Sequence, residues 1–124
     1  EIHGLESLLS DISLFLNSHN PIPSLVHGDL WSGNAAMSSD GRGVILDPAV
    51  WWADREVDLA MTNLFGGFDK DFYTSYEKIL PVSSTAKPRV DVYNLYHLLN
   101  HANLFGGSYK EQCLSSIKNI KSLM

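Results

Sequence analysis

The chain has 124 residues, 44% of them hydrophobic and 19% charged, with a net charge of −5 and one cysteine. That size and balance describe a single globular domain with a core of its own. The acidic balance leaves no basic face to neutralise phosphates, which excludes nucleic acid and membrane surfaces as expected partners. No apolar run reaches spanning length, and the lone Cys113 excludes an internal disulfide and suits a reducing, cytoplasmic setting.

Ile2, Leu5, Leu8, Leu9, Ile12, Phe15 and Leu16 recur at helical spacing and predict a core-facing helix over 2–16, which Pro21 and Pro23 close off. Leu25 and Val26 read as a short extended segment entering the polar loop HGDLWSGN. Residues 35–37 and 44–46 flank a Ser-Ser-Asp-Gly turn and predict a β-hairpin with Asp47 at its exit. Helices are predicted over 57–65, 70–79, 89–105 and 109–124, with Gly66-Gly67 and Gly106-Gly107 stopping the first and third. In the longest, Val92, Leu95, Tyr96, Leu99 and Ala102 are assigned to the buried stripe; in the last, Leu114, Ile117, Ile120 and Leu123, with Lys110, Lys118 and Lys121 on the solvated side. Cys113 reads as a small buried apolar group. The fold class is mainly α with a small β-hairpin. Because Glu1 already lies inside a helical pattern, the chain is expected to be a piece of a longer protein.

The chemistry gathers around the hairpin, with His27, Asp29 and Asn34 before it and Asp47 after it. A hairpin returns the chain to its start, so Asp47 is expected beside Asn34. Two carboxylates and a carboxamide in one small space offer oxygen ligands to a hard cation such as Mg²⁺. The spacing H-x-D-x-x-x-x-N, followed by an Asp at the end of an apolar strand, is used in kinase-type phosphoryl transfer. There the loop Asp deprotonates the acceptor hydroxyl, while the Asn and the second Asp hold metal ions. The alternative reading makes Asp29 and Asn34 turn residues bonding their own backbone. A glycoside-hydrolase carboxylate pair leaves Asn34 without a role.

His27 reads as structural, its ring bonding backbone to hold the loop, and Asp58 as an acceptor that stabilises the same loop. Trp51 and Trp52 read as packing or as a cleft wall. His97 and His101 lie one helical turn apart, but with no Glu between them and no third ligand they are expected to pack towards the cleft with Asn100 and Asn103.

HGDLWSGN, ILDPA with REVDLAM behind it, FGGF, FYTSYEKILP and YNLYHLLNHANLFGGSY resemble the fructosamine kinase (ketosamine 3-kinase) family, within the aminoglycoside and choline kinase-like group. The resemblance covers about residues 25–109. It implies the C-terminal lobe of a protein-kinase-like, aminoglycoside phosphotransferase-like fold, and ATP-dependent phosphorylation of a sugar hydroxyl on small or protein-bound glycated amines, a deglycation chemistry. By matching position, Asp29 would be the catalytic base and Asn34 and Asp47 the Mg²⁺ ligands. Trp31 would offer a flat surface to the sugar ring, with core packing as its other reading. Such kinases also need a glycine-rich strand-turn and a strand lysine paired with a helix glutamate. Residues 1–124 hold neither, so the chain is expected to be the catalytic-loop lobe alone, inactive without an N-terminal ATP-binding lobe and prone to self-association through the face that lobe would cover. An aminoglycoside or choline acceptor is the second reading, and a non-catalytic binding fragment the third.

Overall fold

A computed structural model describes residues 5–124, so Ile2 of the first predicted helix lies outside the described residues. In chain order the elements are α1 (Leu5–Leu16), β1 (Ser24–Val26), a 3₁₀ turn over Ser32–Asn34, β2 (Ala35–Met37), β3 (Gly43–Ile45), β4 (Trp51–Ala53), α2 (Glu56–Leu64), α3 (Lys70–Ile79), α4 (Lys87–Phe105) and α5 (Ser108–Leu123). Among the described residues, no helix is long and apolar enough to cross a membrane.

The predicted hairpin is present as β2–β3, pairing Ala35 with Ile45 and Met37 with Gly43. A second antiparallel ladder accompanies it, which corrects the expectation of a single hairpin. Leu25 and Val26, read as merely extended, pair with Trp52 and Trp51 of β4. This ladder clamps both ends of the segment running from the polar loop through the hairpin.

The core lies where α1, α4 and α5 meet, around Leu8, Val92, Leu95, Ile117 and Ile120, with Ile12, Phe15, Leu16 and Leu99 packed against it. Cys113 is fully buried, and that burial pushes its thiol above the ordinary range. Four residues assigned to buried stripes are not buried. Leu9 is 62% exposed because α1 is covered on one side only, and Leu114 and Leu123 sit at the rim of α5. Tyr96 is 71% exposed because α4 serves two contacts at once. One face meets the core; another meets α2, where buried Asn94 donates from Nδ2 to the Ala60 carbonyl at 2.8 Å. A single stripe cannot describe a helix buried on two sides.

The turn entering α2 joins three distant parts of the chain. His19, after α1, is 2.6 Å from Asp54 Oδ2, and the Tyr93 hydroxyl donates to the same oxygen at 2.7 Å. Arg89 of α4 donates to both oxygens of buried Glu56, at 2.7 and 2.8 Å. Arg55, between the two acids, reaches the other way. It donates to the Tyr76 hydroxyl at 3.1 Å and to the carbonyls of Leu80 and Pro81 at 3.2 and 2.6 Å, closing the end of α3. The helix α3 buries no residue of its own. Asp69 caps its start by accepting from the Phe72 amide at 2.9 Å, and the Tyr73 hydroxyl ties it to Thr62 at 3.1 Å.

Burial opposes the charge on Asp54, but donors from the Glu56 amide, Tyr93 and His19 outweigh it and hold the carboxyl below its usual value. The stabilisation this gives is present above the ordinary aspartate pKa of about 3.9 and is lost as pH falls below it. Burial and the Asp54 carboxylate raise the Tyr93 phenol, whose contribution is present below about pH 10 and is lost as pH climbs beyond. Tyr93→Phe is therefore expected to move acid unfolding to higher pH and to remove the tyrosine-linked part of the alkaline limb. Urea midpoints measured from pH 2 to 11 check this; an unchanged acid limb would contradict it.

Candidate active site

The loop between β1 and β2 is held from beneath by Asp58, in the first turn of α2. Its Oδ2 accepts from the His27 amide at 2.7 Å and its Oδ1 from the Gly28 amide at 2.9 Å. The His27 ring is buried, and the Asp29 amide donates to its Nδ1 at 3.2 Å. Nε2 must then carry the hydrogen, which it donates to the Leu46 carbonyl at 2.7 Å. With both nitrogens engaged, the imidazole has no lone pair left for a substrate proton. The Ala49 amide donates to the His27 carbonyl at 2.8 Å, drawing the segment after Asp47 back to the loop.

Two glycines in the loop are steric requirements. Gly28 has φ +82°, and a Cβ there would run into the Ala49 carbonyl oxygen. Gly33 lies directly under the six-membered ring of Trp31, in the space a side chain would need. Trp31 is therefore laid over its own loop, 42% exposed. It is not a core residue.

Asn34 is buried and donates from Nδ2 to the Asp29 carbonyl at 2.9 Å and to Asp29 Oδ2 at 3.1 Å. The direction of the Asp29 carboxylate is thus set by the carboxamide five residues on. The Leu46 amide donates to the Asn34 carbonyl at 2.8 Å, one residue before Asp47. Asp47 is exposed and stands at φ +47°, the left-handed region that Asp tolerates better than most side chains. His27, Asp29, Asn34 and Asp58 thus form one bonded group, and Asp47 joins it through its neighbour. With Nδ2 committed to Asp29, the Asn34 Oδ1 is left as an oxygen donor, and it and the Asp47 carboxylate are of the type a hard divalent cation takes.

Beside Asp29 opens a cleft of about 620 Å³, walled by Trp31, Phe65, His97, Asn100 and His101. The His101 ring packs against Phe65, Phe105 and Tyr109 with centroids 5.3, 5.7 and 5.1 Å away, and its Nδ1–H donates to the His97 carbonyl at 2.8 Å. Burial pushes the His97 imidazole below its ordinary value; the Asp29 charge opposes this and His101 adds to it. His97, Asn100 and His101 face the cleft. Asn103, expected with them, is on the exposed surface and does not line it.

Among the described residues, the one grouping of three metal-type side chains is His19, Asp54 and Glu56. Glu56 there is already neutralised by Arg89, so the grouping is a hydrogen-bonded ion network. Sequence reading missed both this network and the aromatic cleft walls Phe65, Tyr96 and Tyr109. The only signal for the walls is that Phe65 and Tyr109 flank the glycine pairs that turn the chain.

A family profile described as "Fructosamine kinase" matches residues 1–123. A "Probable ketoamine kinase" of Vibrio vulnificus is 50% identical over 118 residues, covering 95% of this chain and 41% of that protein. One from Synechocystis is 52% identical over 107 residues, covering 86% of this chain and 36% of its own length. A crystal structure assigned to fructosamine-3-kinase from Thermobifida fusca superposes with a TM-score of 0.83 at 31% identity, over 94% of this chain and 40% of that one. The chain thus spans about two fifths of the length of the proteins it resembles.

Proposed function

Since the chain belongs to the fructosamine kinase family, we propose that it forms the acceptor and metal side of an ATP-dependent kinase that phosphorylates a hydroxyl of ketosamines, the sugar adducts of amines. The observation that carries this reading is the Asp29 carboxylate, oriented by Asn34 at the mouth of an aromatic cleft. Asp29 accepts the proton of the acceptor hydroxyl. Asn34 Oδ1 and Asp47 hold Mg²⁺, which when bound neutralises charge building on the transferred phosphoryl group. Trp31, fixed over Gly33, offers its face to the sugar ring. His27 and Asp58 keep the loop in shape without touching substrate.

The nucleotide-binding portion belongs, on this reading, to the length that the relatives have beyond the matched stretch, and the chain alone turns over nothing. Leu25, Ile45 and Trp52, 60%, 63% and 69% exposed on the two ladders, form part of the face it would cover, and uncovered they favour self-association. The test is a chimera in which this chain replaces the matched stretch of the Vibrio vulnificus relative. ADP release is measured with N-methyl-1-amino-1-deoxyfructose, an aminoglycoside and choline, with Mg²⁺ present or chelated. Release with the fructosamine alone, abolished by chelation, is the expected result. Preference for either other acceptor would replace the substrate, and a chimera that binds no nucleotide would leave a non-catalytic module.

A further inference from the structure

We propose that the acceptor cleft continues past Tyr96 and His97 into a second, apolar subsite walled by Trp51, which receives the substituent on the amine of the ketosamine. This rests on the function proposed above and extends it to the other end of the substrate.

A second cavity of about 550 Å³, not lined by Asp29, shares four lining residues with the first: Gly28, Ala49, Tyr96 and His97. Its remaining walls are Trp51, Val57, Val92 and Tyr93. The two cavities differ in chemistry. The first carries Asp29, Asn100 and His101; in the second, three of the polar groups are already spent. The Tyr93 hydroxyl is donated to Asp54, the Gly28 amide to Asp58, and the Ala49 amide to the His27 carbonyl. Val57 and Val92, each 8% exposed, supply aliphatic surface. Tyr96 and His97, at the boundary, are the polar side chains common to both.

A ligand spanning the two must be hydroxylated at one end and apolar at the other. A ketosamine has that form, a polyol joined through nitrogen to whatever amine the sugar had modified. Trp51 is 52% exposed, so the subsite is open along one side. A long aliphatic stem can therefore lie along the indole and leave into solvent, which admits an amine that is itself part of a larger molecule.

Isothermal titration of the chimera with N-methyl- and N-hexyl-1-amino-1-deoxyfructose tests this. Each buried methylene is worth roughly fourfold in affinity, so the hexyl compound is expected to bind at least about tenfold more tightly. Trp51→Ala should bring the ratio near one. Trp52→Ala, on the opposite face of β4 and outside both cavities, should preserve the ratio. Equal binding of the two compounds, or an equal loss of ratio in Trp52→Ala, overturns the subsite and leaves the acceptor reading in place. Failure of both compounds to bind overturns the acceptor reading and the subsite with it.

Discussion

Asp29→Asn is expected to lower turnover of the chimera at least ~10²-fold, the contribution of a well-placed general base. The change is close to isosteric. The new side chain keeps an oxygen that can accept from Asn34 Nδ2, now 3.1 Å from Oδ2, and the main-chain bond from Asn34 to residue 29 is untouched. Loop geometry, KM for the fructosamine and the urea midpoint should therefore stay near their starting values while kcat collapses. Such a split separates loss of a base from loss of a scaffold. Turnover within a few fold of the parent would end the assignment of Asp29 as base. Since the His27 ring is spent on Asp29 and Leu46, no neighbouring imidazole stands ready to replace it.

Arg89→Ala should carry the largest cost in stability. Both partners of the pair are almost wholly enclosed, with side chains 7% and 8% exposed, and the contact is bidentate. Removing the guanidinium leaves the Glu56 carboxylate in the interior without its bidentate partner, and the His19 ring, 4.0 Å away, is too far to replace it. Breaking a buried pair in this way costs about 3–5 kcal/mol, a large share of the 5–15 kcal/mol that holds a typical domain together. Arg89→Met combined with Glu56→Leu removes both charges and should recover most of the loss, because apolar replacement of a whole buried pair is often neutral. Urea unfolding of the parent, the single and the double variant checks the order. If the single variant lost less than about 1 kcal/mol, the pair would be acting as an exposed bridge.

What could be read from the sequence follows from the range of the interactions. The helices announce themselves through local spacing, and the loop chemistry through residues close together in HGDLWSGN, which also carries the family. Asp58 could be connected to that loop because it follows the second aspartate by one short strand and a turn. The ladder between β1 and β4 could not be read, since three-residue strands more than twenty positions apart show no register of their own. Nor could the ion network, whose partners lie 33 to 39 residues apart and meet only once α1, α2 and α4 are packed. Tyr96 illustrates a third limit. Its spacing fits the core stripe of α4, but that helix also packs on α2, and the tyrosine is left facing the cleft.

The weak seating of α3 has a consequence for how the chain opens. A helix with no fully buried residue, held by the Tyr73 hydroxyl and the fork of Arg55, exposes less apolar surface when it lifts away than a core helix would. Its release requires none of the core around Leu8 and Ile120 to separate. Amide hydrogens of residues 70–79 thus exchange with solvent through a small local excursion, whereas those in the middle of α4 wait for the whole chain to unfold. The molecule has two grades of cohesion, and proteolytic nicking begins at the weaker of them.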